Sequence, residues 1–235
     1  MENQRLKLPL DENISFGLGD LEDLLRVLLG ENGCPWDKEQ TLSSLRKYLL
    51  EECYEAADAI DSGDMDNLCE ELGDVLFQLM FISKLTENNG GFTMDDVIDG
   101  VCRKMISRHT HIFGDEKTTD AKGVEAIWER NKKKEKNYKT LYNKLNAIPI
   151  SMPALMRAEK IFDKTGSAAN KDELIDQAER YLNKLRDNDS MDMEYIGNLL
   201  LTVSNISLQM QINAEFALTN ALKTYINKFE NIENY

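Results

Sequence analysis

The 235-residue sequence predicts an all-α protein, and three observations carry that reading. Apolar residues recur at helical spacing in one stretch after another. The intervals between those stretches are clusters of Gly, Asn, Asp, Ser or Pro, which stop helices. The pattern of residues 45 to 108 also returns at 171 to 229, so the chain reads as two tandem helical bundles, with domains at 1–148 and 149–235.

Residues 1 to 17 are expected to form a loose entry segment. From Leu18 to Leu29, Leu18, Leu21, Leu24, Leu25 and Leu28 mark an amphipathic helix closed by Gly30 and Gly33. A loop with Pro35 and Trp36 follows, its Trp read as a local packing anchor, and Thr41 or Ser43 is the expected N-cap of the next helix. An acidic helix hairpin then occupies roughly 42 to 88, turning at Asp61-Ser62-Gly63-Asp64. Gly73 inside its second arm costs about 1 kcal/mol relative to Ala and suggests close approach of a neighbouring backbone or ligand.

Asn88-Asn89-Gly90-Gly91 ends the hairpin, and Thr93 with Asp96 opens a helix predicted to reach about Ile112. His109 and His111 on it have no His at i, i+4 and no nearby Cys, so they are expected to pack or cap the helix end. A further helix spans 120–139, with Trp128 on its apolar side as a base-stacking candidate and Lys132-Lys133-Lys134 as a solvated face. The character changes at Ile148-Pro149-Ile150-Ser151-Met152-Pro153. Helices are then expected at 154–164, 171–187, 191–211 and 213–229.

Residues 51 to 74 concentrate the chemistry: ten carboxylates and no Lys or Arg. Glu52 and Glu55 are i, i+3 on one arm of the hairpin, and Glu71 and Asp74 repeat that spacing on the other. The apolar run Val75 to Ile82 reads as buried and sets Asp74 at the mouth of a core. Four facing carboxylates without His or Cys form a hard oxygen cage, suited to Mg²⁺ or Mn²⁺ that stays partly hydrated and shares its remaining positions with phosphate. A di-iron carboxylate bundle would need Glu-x-x-His pairs, which are absent.

Composition bounds the rest. The net charge is −14, of which the first 140 residues hold −11, a sign that argues against nucleic-acid binding by phosphate neutralisation. Eleven basic residues nevertheless fall between Arg103 and Lys139, so an acidic hairpin is paired with a later basic segment, an arrangement suited to metal on one side and a phosphate chain on the other. No apolar run is long enough for a membrane span, and the N-terminus lacks an export signal core. Cys34, Cys53, Cys69 and Cys102 lack zinc spacing and read as reduced thiols, so a cytoplasmic location is expected.

Several motifs in this order resemble the MazG family of nucleoside triphosphate pyrophosphohydrolases. They are Gly33-Cys34-Pro35-Trp36-Asp37, Tyr48-Leu49-Leu50-Glu51-Glu52, the two carboxylate pairs, Arg108-His109-Thr110-His111-Ile112-Phe113-Gly114, Trp128 with Lys132, and Pro153-Ala154-Leu155-Met156-Arg157-Ala158-Glu159-Lys160. The resemblance implies two MazG-like bundles, a homodimer, and Mg²⁺-dependent conversion of NTP and water to NMP and diphosphate. It implies Glu52, Glu55, Glu71 and Asp74 as metal ligands, Lys104 and Arg108 as phosphate contacts, and Trp128 as the nucleotide-side aromatic. Tyr48 would line the same pocket, and Glu51 would be the spare carboxylate that orients or deprotonates water. The chain departs from the family pattern at Ser107, Thr110 and Leu42. In the second copy Tyr195 stands for Glu71 and Asn198 for Asp74, so that copy is read as a fold repeat without the site. The alternative is a non-catalytic nucleotide-binding or scaffold protein derived from this family.

Overall fold

The computed structural model describes residues 6, 13–136, 140–167, 169–187 and 193–230. Among them it forms α1 (Leu18–Leu28), α2 (Pro35–Lys38), α3 (Leu42–Ser62), α4 (Met65–Asn88), α5 (Met94–Arg108), α6 (Thr110–Phe113), α7 (Ala121–Lys136), α8 (Leu141–Asn146), α9 (Ala154–Thr165), α10 (Lys171–Asp187), α11 (Met193–Gln209) and α12 (Ala214–Glu230), with no strand among the described residues. The all-α expectation holds. The ends expected at 137–139 and 191–192 lie outside the described residues.

The chain divides into two compact units, Met1–Asn131 and Lys132–Tyr235. The sequence places the boundary later, at the Pro-containing stretch after residue 148. The difference comes from α8, which packs on α9 and so falls in the second unit.

In the first unit α3 and α4 form a long helical hairpin, with α1 and α5 packed on α4. Its core is Leu25 of α1, Leu45 of α3, and Met80 and Phe81 of α4, ringed by half-buried side chains such as Leu21, Tyr48, Leu76 and Phe77. Phe77 meets Phe81 edge-on at 5.8 Å. The run Val75 to Ile82 is only partly the buried segment expected of it. Gln78, Met80 and Phe81 are buried, while Leu79 is exposed, because α3, α1 and α5 cover some of its faces and not others.

Each hairpin arm begins at a side-chain cap. The Thr41 hydroxyl accepts from the Ser44 N–H at 3.1 Å at the start of α3. The Asp64 carboxylate accepts from the Asp66 and Asn67 N–H groups at 3.2 and 3.1 Å at the start of α4. These bonds satisfy backbone donors that a first helical turn leaves without partners. Thr93 and Asp96 form the expected capping box of α5.

The helix expected to run to Ile112 instead breaks at His109 (φ −99°, ψ 51°). Neighbours decide this: Thr110 Oγ1, just past the break, accepts from Asn131 Nδ2 of α7 at 3.1 Å and donates to Glu116 at 3.0 Å.

The second unit is built on the α10–α11 pair, with α9 against α11 and α12 against both α9 and α11. Thr202, Ser204 and Asn205 of α11 are buried, as are Leu174, Ala158 and Ala214. Glu159 of α9 holds the start of α12, accepting from the Ala214 N–H and from Asn213 Nδ2.

Candidate active site

The turn between α3 and α4 is two residues, Gly63 and Asp64. Gly63 closes α3 in the left-handed region (φ +73°), where a Cβ would be strained. So short a turn folds the arms back on one another, and residues equally distant from it meet: Glu55 with Glu71, Glu52 with Asp74. Glu52, Glu55 and Glu71 each bring a carboxylate oxygen within 4.8 Å of the others.

The electrostatics follow from that crowding. Slight desolvation, then Asp74, Glu55, Glu71 and Glu51 in decreasing order, raise the Glu52 carboxyl above the ordinary glutamate range. Desolvation, Glu55, Asp74, Glu70 and a hydrogen bond to Glu55 raise Glu71 likewise. Every charge acting on the two is negative. The cluster therefore fits a divalent cation on its donor chemistry: oxygen ligands only, from both arms, with repulsion that a bound cation relieves.

Asp74 corrects the sequence reading in part. It is exposed, not set in a core mouth, since the faces of α4 buried by its neighbours lie further along, at Gln78, Met80 and Phe81. The backbone approach expected at Gly73 is not found: apart from its own helix and chain neighbours, a Cβ there would meet nothing within 4 Å.

Tyr48 lies one turn before Glu52 on α3, half-buried against the core, with Trp36 edge-on at 5.9 Å. Trp36 was expected to be a packing anchor, yet it is 54% exposed. Nothing in the sequence distinguishes the two cases, because exposure of a loop ring depends on which helices close over it. Glu51 forms an i, i+4 ion pair with Lys47 at 3.1 Å.

A second cluster forms where α5 ends. Arg108 is buried, its guanidinium 5.2 Å from the centroid of the Trp128 ring. His109 meets the edge of the same ring at 5.0 Å, and its Nδ1 lies 2.6 Å from the Met105 carbonyl oxygen. The His111 ring lies tilted against His109 with centroids 5.6 Å apart, and its Nδ1 is buried without a hydrogen-bond partner. Both His thus pack as expected. Lys104 is exposed on α5, one turn before Arg108. The structure therefore gathers Glu52, Glu55 and Glu71 into one cluster, without Asp74, and Arg108 with Trp128 into another.

In the second unit the position matched to Glu71 carries Tyr195, with the Lys184 ammonium of α10 4.9 Å from its ring centroid. Asn198, matched to Asp74, lines a cavity of about 130 Å³ with Gln177, Tyr181, Thr202 and Asn205. A tyrosine and an asparagine stand there in place of two carboxylates, neither of them a charged oxygen ligand for a cation.

Comparison with known proteins shows what the chain is similar to. Residues 40–113, which contain both carboxylate arms and the Arg108 turn, match the family model described as MazG nucleotide pyrophosphohydrolase domain. The chain is 36% identical over 215 residues to the nucleoside triphosphate pyrophosphohydrolase of Escherichia coli K12, covering 86% of this chain and 81% of that protein. It is 34% identical over 221 residues to the nucleoside triphosphate pyrophosphohydrolase/pyrophosphatase MazG of Thermotoga maritima, covering 91% and 84%. It is also 49% identical over 138 residues to the uncharacterized protein YabN of Bacillus subtilis, covering 59% of this chain but only 28% of that protein. Because the chain is more than 30% identical to two named hydrolases over more than two thirds of its own length and of theirs, and its residues 40–113 match the family model, it belongs to the MazG nucleotide pyrophosphohydrolase family.

Proposed function

We propose that this hydrolase converts a nucleoside triphosphate and water to a nucleoside monophosphate and diphosphate in a Mg²⁺-dependent reaction, with Mn²⁺ as a possible substitute. The single observation that carries the reading is the meeting of Glu52, Glu55 and Glu71 from two helices within 4.8 Å. Together with Asp74 these side chains would hold the metal, which when bound supplies charge neutralisation for the phosphates and activation of water.

The chain's own residues supply the remainder. Lys104 and Arg108 are assigned to the phosphate oxygens, since phosphoryl transfer depends mainly on positioning and charge stabilisation. Arg108 is suited to this because its guanidinium is held over the Trp128 ring, which limits its rotamers and leaves less order to impose on binding. Trp128 is the nucleotide-side aromatic, and Tyr48 lines the pocket from α3. Glu51 is assigned to orienting or deprotonating the attacking water, with Lys47 holding one of its oxygens in place.

The second unit is proposed to be a degenerate repeat that adds packing and no chemistry. A homodimer covers the apolar side chains that the first unit leaves exposed on its hairpin, among them Leu50, Tyr54, Ile60, Leu72 and Leu79.

The test is Glu55→Gln, which keeps the shape of the side chain and removes its charge. It is expected to abolish Mg²⁺-dependent diphosphate release from a panel of nucleoside triphosphates while leaving the far-UV circular dichroism unchanged. An undiminished rate would refute the assignment. A wild-type chain that binds nucleotide without releasing diphosphate would favour the scaffold alternative.

A further inference from the structure

The second unit holds a cavity of about 130 Å³ lined from α9, α10 and α11, and one residue of its lining carries a buried polar atom with nothing to bond. Asn205 of α11 is only 6% exposed, and its Oδ1 has no hydrogen-bond partner. The other end of the amide fixes which atom is left open. Asn205 Nδ2 donates to Ser167 Oγ at 3.1 Å, while the Ser167 hydroxyl gives its own proton to the Ala169 carbonyl at 2.7 Å. Ser167 can therefore only accept, so the oxygen of Asn205 is the unmet group. Gln209 Nε2 donates to the same Ala169 carbonyl at 2.8 Å, which ties this loop to α11 a second time. A buried acceptor without a donor destabilises the fold, and a donor brought into the cavity relieves it.

The rest of the lining narrows the chemistry. Thr202 is buried, and its hydroxyl donates to the Asn198 carbonyl at 2.8 Å, so its oxygen too can only accept from a ligand. Donors come from the Asn198 side-chain amide and from the Tyr181 hydroxyl, which accepts from Gln177 Nε2 at 3.4 Å and keeps its own proton. Phe162 and Leu174 supply apolar wall, and none of the described residues lining the cavity is charged. A phosphate would meet no cation there, and a hydrocarbon would leave Asn205 unsatisfied. The volume is near the roughly 150 Å³ that accommodates one benzene ring, which suits a single six-membered ring and excludes a fused pair. Leu201 on the wall is 43% exposed, so the cavity has a mouth.

We propose that this cavity is a binding site for an uncharged, single-ring cyclic amide, the ring type of a pyrimidine base. A ring N–H donates to Asn205 Oδ1, and a ring carbonyl accepts from Tyr181 or Asn198. The ligand is bound without metal and without reaction. Every residue invoked lies in the second unit, so the assignment stands apart from the hydrolase reading of the first.

The experiment titrates the full chain with uracil, uridine, adenine and toluene, following the side-chain amide NMR signal of Asn205, which is assigned by its loss in Asn205→Leu. Uracil is expected to shift that signal saturably, with or without Mg²⁺, while toluene and adenine leave it in place. Asn205→Leu and Thr202→Val, each removing one acceptor, should weaken uracil binding about tenfold by calorimetry. A shift with uridine as well assigns the site to the base of a nucleoside, and a shift with uracil alone assigns it to the free base; both support the proposal.

No saturable binding of uracil or uridine would overturn it. So would toluene binding as well as uracil, the mark of a merely apolar hole, and adenine binding as tightly would end the single-ring assignment. Circular dichroism reports whether the variants fold. Should Asn205→Leu unfold, Thr202→Val decides alone, and wild-type affinity for uracil in a folded variant sinks the site.

Discussion

Glu52 and Glu71 carry a destabilising charge in the metal-free protein, and its sign can be worked out. Both carboxyls are raised above the ordinary glutamate range, by desolvation first and neighbouring carboxylates next. Their repulsion is absent where folded and unfolded chains are both protonated. It develops as pH rises from the ordinary glutamate range through the raised folded values, and stability falls across that window. Glu71→Gln is therefore expected to raise the melting temperature of the metal-free protein at neutral pH, with little change under acid conditions. It should also erase the increase that Mg²⁺ is expected to give the wild type, since ligand binding to the folded state alone stabilises it. Calorimetry with Mg²⁺ and with chelator checks both outcomes. These carboxylates were legible in the sequence because i, i+3 pairs on both sides of a turn leave little freedom in where they meet. The exposure of Asp74 and of Trp36 was not, since periodicity fixes which residues share a face and leaves open what covers it.

At the scale of elements, the hairpin turn and Gly73 make opposite predictions for the same substitution. Gly63 lies at φ +73°, so Gly63→Ala should cost about 1 kcal/mol and lower the melting temperature, loosening the register that pairs Glu55 with Glu71. Gly73 lies in the interior of α4 with open space around it, so Gly73→Ala should gain about 0.5–1 kcal/mol. Urea denaturation of the two variants measures both. Helix positions, the Thr41 cap and the Thr93–Asp96 box were legible, because hydrophobic spacing and capping chemistry are local. Two things were not. The short helices α2 and α8 carry too few residues to show a period. The break at His109 depends on Asn131 and Glu116, which approach Thr110 from later in the chain.

For the whole molecule, the carboxylate cluster lies in the first unit, and the second is expected to add no chemistry. Asn198→Ala, in the second unit, is expected to leave the rate of diphosphate release unchanged, whereas Glu55→Gln leaves none. The same steady-state assay on both variants decides whether all activity resides in the first unit. Sedimentation equilibrium is expected to give twice the 26.9 kDa of one chain. The sequence by itself determined the helical class and the hairpin with its opposed carboxylates, because each depends on residue type and spacing over a few turns. Only the tertiary structure decided that Arg108 lies over Trp128, that Asp74 and Trp36 face solvent, and that α8 joins the second unit. Those outcomes depend on which surfaces meet across long stretches of chain, and burial, unlike periodicity, is a property of the packed whole.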